Sequence, residues 1–317
     1  MQYIVLSAGQ EWNYYSWKDT VDNVENIRFI NELFPSFLKK LWWRPYFRNK
    51  ITYKFFWRPF IKSKLKIKTE PTVLIVYDWN FLTMSPSCIQ YLKASYPNLK
   101  IIYVFTNIVK ISGARTYDIL EKLNQDYDMV FAFDPEDAKK YGFEYSRLVY
   151  SVSRPLRKIK SYDYDVFYIG QAKDRYSQLI DIYKKLRSCN LRCLFYITGV
   201  PKSEQYIDSG IVYNTPLHYN EVLELIDNSK CLVDVIQGDS AGLTIKTCEA
   251  VVLDKKLITT NRNVINEVFY DPNNILIYGE NADVKKFMDT DSKNYDENTK
   301  KIFSPVELLE RIKALDI

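Results

Sequence analysis

The chain has 317 residues, 47% of them hydrophobic, enough for two domains with filled cores. Its five cysteines include no Cys-x-x-Cys pair and it has one histidine, which argues against a zinc cage and fits a reducing compartment. Net charge is +5, but unevenly spread: residues 1–160 hold 25 Lys+Arg against 15 Asp+Glu, and residues 161–317 hold 19 against 24, so the first half is the one expected to meet an anionic partner.

The opening Met-Gln-Tyr-Ile-Val-Leu lacks the basic start and long apolar run of a signal peptide and reads as a strand, 2–7. No run approaches the eighteen apolar residues of a membrane span, so a cytoplasmic protein is expected. Further strands are expected at 73–77, 100–106, 129–133 and 147–151, with helices at 20–34, 86–95 and 115–124. Asp134-Pro135-Glu136-Asp137 predicts a helix start, with Asp134 as cap and Gly142 as the stop. The polar stretch 152–164 reads as a linker.

The second half repeats the pattern. Strands are expected at 165–169, 192–198, 211–213, 231–236 and 256–260, and helices at 175–187, 219–228 and 242–253. Ser304-Pro305-Val306-Glu307 is a capping box that opens a last helix. Alternating strands and helices mean parallel sheets covered on both faces. The expected fold is therefore α/β, with two Rossmann-like domains, 1–155 and 160–303, whose sheets face across a cleft, and a terminal helix, 304–317, able to return to the first.

Ligands of such sheets sit beyond the carboxyl ends of the strands. That rule selects Asp78, Asn107, Asp134, Gly170, Gly199, Gly238 and Asn261. It also rejects Asp126-Tyr127-Asp128 and Asp163-Tyr164-Asp165 as metal ligands, because both precede their strands. No metal or other cofactor is expected. Among the carboxylates of the first half, Asp78 after its strand is placed best and Glu11 after the first strand second; the first half has no histidine, and His218 reads as a helix-start residue.

Residues 238–261 carry the clearest chemistry. Asp239 or Ser240 can cap the helix that follows, and Gly242, Lys246 and Glu249 are spaced to share one helical face. Free N–H groups and a cation at a helix start suit a diphosphate; a carboxylate one turn on suits a ribose diol. A solvated Lys246–Glu249 pair satisfies the same spacing. Lys173 and Arg175 follow Gly170 at another strand-to-helix turn and are the second set of phosphate candidates.

Residues 39–68 hold eleven Lys/Arg and no acid, interleaved with aromatics. Trp42, Trp43, Arg44, Phe56, Trp57 and Arg58 are the candidate surface for a membrane or acceptor. Three readings fit: an anionic membrane surface, a helix pair with its rings inward, and single-stranded nucleic acid. The membrane is the expected partner, and nucleic acid is not.

Gly-Leu-Thr-x-Lys-x-x-Glu-Ala, followed by Lys-Lys-Leu-Ile-Thr-Thr-Asn, resembles the donor-site segment of GT-B glycosyltransferases, in particular bacterial capsule and lipopolysaccharide transferases related to the "group 1" family. The resemblance is strong over 165–285. It implies a nucleotide-sugar donor, Glu249 on its ribose, and Lys246, Lys173 and Arg175 with Gly242, Thr244, Gly170 and Gly199 around its phosphates. It implies a saccharide or lipid-linked saccharide acceptor, cell-surface polysaccharide synthesis, and for an inverting member a catalytic base in the first domain, for which Asp78 and then Glu11 are the candidates; with the basic aromatic stretch, work at the inner face of the membrane is expected. Retaining members often carry a second Glu eight residues earlier; that position is Ala241 here, so the stereochemical outcome stays open. A phospho-group transferase using a CDP-alditol, or a non-catalytic nucleotide-sugar-binding subunit, are the alternatives.

Overall fold

The structure is a computed structural model that describes residues 1–7, 9–42, 51, 53–78, 86–109, 123, 125–151, 161–238 and 240–314. It divides into two compact units: Met1–Arg147 with Leu308–Ile317, and Leu148–Glu307.

Unit 1 runs β1 (Gln2–Leu6), α1 (Glu11–Asn23), β2 (Ile27–Ile30), α2 (Ser36–Trp42), a π-helical turn (Tyr53–Trp57) continuing into α3 (Arg58–Leu65), β3 (Thr72–Tyr77), α4 (Pro86–Ser95), β4 (Leu99–Val104), β5 (Met129–Ala132), α5 (Pro135–Tyr141) and β6 (Glu144–Tyr145). Its sheet is parallel throughout, in the order β2-β1-β3-β4-β5-β6. All six residues of β3 are buried, as an apolar run covered on both faces requires. The order reverses between β1 and β3, so this unit's crevice opens beyond their carboxyl ends.

Unit 2 runs β7 (Tyr164–Gln171), α6 (Tyr176–Ser188), β8 (Cys193–Thr198), β9 (Ile211–Tyr213), α7 (Tyr219–Asp227), β10 (Ser229–Asp234), α8 (Ile245–Val252), β11 (Lys256–Thr259), β12 (Ile275–Ile277), α9 (Val284–Asp289) and α10 (Glu297–Lys301). Helix α11 (Pro305–Ala314) closes the chain, its residues from Leu308 onward belonging to unit 1. The second sheet, also parallel, has the order β12-β11-β10-β7-β8-β9. Counted from the other edge, its strands run third, second, first, fourth, fifth, sixth, which is the dinucleotide-binding arrangement with its switch point between β7 and β10. The fold class is thus α/β with two Rossmann-like units, each built on a parallel sheet.

Several elements differ from expectation for identifiable reasons. The helix expected at 20–34 ends at Asn23; Asn26 takes a left-handed conformation (φ 66°), and the next four residues form edge strand β2. No strand forms at 147–151, and the last strand of unit 1 is the two-residue β6. The start of α5 is as expected: Asp134 Oδ1 accepts from the N–H groups of Glu136 (3.0 Å) and Asp137 (3.2 Å), and Gly142 stops the helix at φ 67°. Most of the helix expected at 115–124, and residues 152–160 of the linker, lie outside the described residues. No described helix is long and apolar enough to cross a membrane.

Candidate functional site

Three segments meet at the switch point of unit 2: the loop after β7, the loop after β10, and the amino end of α8. Lys173 Nζ donates to Gln237 Oε1 (2.7 Å), tying the first loop to the second. Burial and the nearby Arg175 lower its pKa. Lys173 also adopts a left-handed backbone (φ 47°), a strained state for a residue with a Cβ. Arg175 is differently placed: its guanidinium donates to the backbone carbonyls of Gln171 (3.2 and 3.4 Å) and Val235. It braces the ends of β7 and β10, where a free phosphate ligand was expected.

Helix α8 begins later than the sequence suggested. Asp239 lies outside the described residues, and the cap is Thr244, whose hydroxyl accepts from the Lys246 N–H at 3.2 Å. Gly242 therefore precedes the helix and does not share its face with Lys246 and Glu249. Its carbonyl accepts from Asn261 Nδ2 (2.9 Å), which pins the loop to the end of β11.

Lys246 and Glu249 do share a face and form an ion pair at 2.6 Å. The pair is not solvated, because the Glu249 side chain is wholly buried. Its other oxygen accepts from the Tyr219 hydroxyl at 2.6 Å, and the Tyr150 hydroxyl lies 3.2 Å from that of Tyr219. Burial, then the Glu249 charge, holds the Tyr219 hydroxyl far above its usual pKa, so it stays protonated and donates. Both oxygens of the carboxylate are thus engaged within the protein.

Sequence reasoning missed Asp234, at the end of β10. It is buried, and its Oδ2 accepts from the hydroxyls of Thr259 (3.1 Å) and Thr247 (3.4 Å). Desolvation raises its pKa; the hydroxyls of Thr244, Thr259 and Thr247 and the charge of Arg175 oppose the rise. One carboxylate therefore holds the cap of α8 and the end of β11. An acid ending an apolar strand was visible; the threonines that answer it, scattered over 244–259, have no spacing that names them.

The two strand-end glycines have structural reasons of their own. A Cβ on Gly170 would stand 2.5 Å from the Tyr168 hydroxyl. Gly199 has φ 79°, and its N–H donates to Asn214 Oδ1 at 2.8 Å. His218 caps α7, its N–H donating to Glu221 Oε2 at 2.7 Å.

In unit 1, Asp78 follows β3 and is buried. It accepts from the Thr106 hydroxyl and from Asn107 Nδ2 (3.3 Å). Burial outweighs these bonds and pushes its pKa up to about 6. Glu11, the first residue of α1, is exposed and lacks that environment. Asp165 pairs with Arg192 (2.9 Å) and Asp128 with Lys93 (3.1 Å), which accounts for one acid of each rejected Asp-x-Asp. No cluster of three or more His, Cys, Asp or Glu able to hold a metal occurs among the described residues.

The basic aromatic segment is only partly as expected. Trp57 is not a surface residue: it is fully buried, against Phe34, in the core of unit 1. The Arg58 guanidinium lies over the Tyr91 ring at 4.4 Å. Phe55 (72%) and Phe56 (45%) are exposed, and so are Lys54, Lys62, Lys64, Lys66 and Lys68. Trp43, Arg44 and the side chain of Trp42 lie outside the described residues.

No family model matches the sequence, and no curated protein matches it. Solved structures similar to it include the glycosyltransferase SnogD from Streptomyces nogalater, at 11% identity over 99% of each chain with a TM-score of 0.44. The glycotransferase of kitacinnamycin is similar at 8% identity over 98% of each chain, TM-score 0.43. A structure described as "Trehalose-6-phosphate from E. coli bound with UDP-2-fluoro glucose" is similar at 11% identity over 84% of this chain and 86% of that one, TM-score 0.45. At such identities and scores the likeness says nothing about residues or chemistry.

Proposed function

We propose that the protein is a GT-B glycosyltransferase that moves a sugar from a nucleotide-sugar donor to a saccharide or lipid-linked saccharide acceptor in cell-surface polysaccharide synthesis. One observation carries the reading. The segment whose residue order resembles GT-B donor sites lies at the carboxyl edge of a sheet with the dinucleotide-binding strand order, beside its switch point. There the amino end of α8 and the ammonium groups of Lys173 and Lys246 offer what a diphosphate needs. Arg175 and Asp234 hold the loops that carry these groups. Glu249 orients Lys246, and a ribose reaches its carboxylate by displacing Tyr219 or Lys246.

Unit 1 takes the acceptor, with Asp78 as the base. Catalysis rests on positioning and on stabilising the departing nucleoside diphosphate with fixed cations and N–H groups, with no resident metal. The exposed Phe55, Phe56 and lysines of 54–68 support the reading that the protein works at the inner, anionic face of a membrane.

The test is a thermal-shift panel of nucleoside diphosphates and nucleotide-sugars. One base should raise Tm, because a ligand that binds only the folded state stabilises it, and Lys246→Ala and Lys173→Ala should lose the response. A response to CDP-alditols alone points to the phospho-group transferase. No response to any nucleotide at millimolar concentration refutes the donor site.

A further inference from the structure

A small cavity lies at the crevice of unit 1, at the carboxyl ends of β1, β3 and β4. Ser7, Gln10, Trp12, Asn13, Asp78 and Thr106 line it, with Tyr77 beside them. Its volume is about 10 Å³, which is room for a single water or hydroxyl oxygen. Asn13 is only 3% exposed, yet neither its Oδ1 nor its Nδ2 makes a hydrogen bond of good geometry among the described residues. Its polar neighbour is the Tyr77 hydroxyl, which accepts from Trp17 Nε1 at 2.8 Å and makes only a loose contact with the Asn13 side chain, leaving the carboxamide's capacity largely unspent. The Gln10 side chain is likewise engaged, accepting from Trp12 Nε1.

Buried carboxamides in folded proteins are almost always well paired, so an amide left with one loose contact and facing a one-oxygen space marks a missing partner. A carboxamide can donate and accept, and the partner that complements both it and a nearby carboxylate is a hydroxyl, which also does both. We infer that Asn13 and Asp78 together form a binding site for one hydroxyl group of an alcohol ligand of the saccharide or polyol class. Asn13 Nδ2–H donates to the hydroxyl oxygen, and the hydroxyl hydrogen is donated to the Asp78 carboxylate. The rest of the ligand lies outside the cavity, whose size admits no second oxygen. Identifying this hydroxyl as the acceptor's rests on the transferase reading; the existence of the site does not.

The test uses the full chain, a panel of methyl glycosides and their singly deoxygenated analogues, and saturation-transfer NMR, without nucleotide. At least one glycoside should bind wild type, and removal of one particular hydroxyl should abolish that binding. Asn13→Ala should weaken it roughly tenfold, the worth of one lost hydrogen bond to a buried site. Asn13→Ser keeps a smaller polar group in place and guards against a folding defect, read by circular dichroism; its affinity should fall between the two. In wild type, binding should strengthen as pH rises through about 6, when Asp78 ionises, and Asp78→Asn should flatten that profile. Unchanged affinity in both Asn13 variants overturns the inference, as does failure of every glycoside to bind wild type, which leaves an ordered water as the occupant. A negative nucleotide panel with positive glycoside binding sinks the donor site alone.

Discussion

Glu249 and Lys246 form an ion pair 2.6 Å long in which the Glu249 side chain has no solvent exposure while the Lys246 side chain keeps 13% of its surface exposed. A pair so placed directs charge outward. The carboxylate fixes the ammonium near the amino end of α8, and the Tyr219 hydroxyl fixes the carboxylate. Removing Glu249 takes the carboxylate from Lys246 and the charged acceptor from the Tyr219 hydroxyl, so Glu249→Ala should lose roughly 3–5 kcal/mol in urea unfolding, the cost of breaking a buried ion pair. Tyr219→Phe removes one charge-assisted bond and should lose roughly 1.5–3 kcal/mol.

The same pair separates two roles for Glu249. Glu249→Gln keeps an acceptor for Tyr219 and alters the charge facing Lys246. A folded Glu249→Gln that still responds to nucleotide, while Lys246→Ala does not, makes Glu249 a residue that acts through Lys246. A folded Glu249→Gln with no response supports direct contact with ribose.

Lys173 carries its charge on a strained backbone, and two substitutions divide these properties. Lys173→Gly releases the left-handed strain and should raise stability by about 1 kcal/mol relative to Lys173→Ala, which retains a Cβ in the same conformation. Both remove the ammonium, so both should lose the nucleotide thermal shift. Equal stability of the two variants would mean that the backbone relaxes when the Lys173–Gln237 bond is absent.

Legibility in the sequence followed burial. The long apolar strands β1, β3, β4, β7, β8 and β10 could be read because both their faces are covered, which leaves few polar interruptions. Edge strands β2 and β12, of four and three residues, carry too little pattern to separate them from helix or loop. The shared face of Lys246 and Glu249 followed from spacing, but its direction did not. Tyr219, thirty residues from Glu249 in sequence, decides that the carboxylate points inward. Trp57 was misread for a related reason. Composition marks 39–68 as basic and aromatic, and only packing against Phe34 tells which rings turn inward. Asn13 gave no signal, since an amide short of good partners is defined by what surrounds it.

Asp78 should set the pH dependence of both activity and stability. A base works when ionised, so kcat/KM should fall as pH drops below about 6, and Asp78→Asn should abolish turnover at every pH. The stability effect has the opposite sense. With its folded pKa raised from 3.8 to about 6, the folded state binds the proton more tightly than the unfolded chain. Unfolding free energy therefore declines as pH rises through that window, by up to about 3 kcal/mol in all. Asp78→Asn should remove this decline in urea melts taken from pH 4 to 7. A wild-type curve that rises over that range with the same slope as Asp78→Asn would show that the carboxyl ionises normally.

The exposed part of the basic aromatic segment predicts membrane binding with two separable components. Lys62, Lys64, Lys66 and Lys68 lie on or just beyond α3, and residues 53–68 contain no acid. Each basic residue near an anionic surface adds about 1 kcal/mol, so reversing all four to Glu should lower affinity for phosphatidylglycerol vesicles by more than roughly a hundredfold. Wild-type binding should also weaken as salt rises, because the attraction is screened. Phe55→Ser with Phe56→Ser should weaken binding without changing its salt dependence, since those rings add apolar burial and no charge. Trp57→Ala should instead lower Tm, because that ring fills the core of unit 1. Vesicle binding that survives charge reversal, or tighter binding to single-stranded oligonucleotide than to vesicles, would remove the membrane from the account and leave the lysines to a different anion.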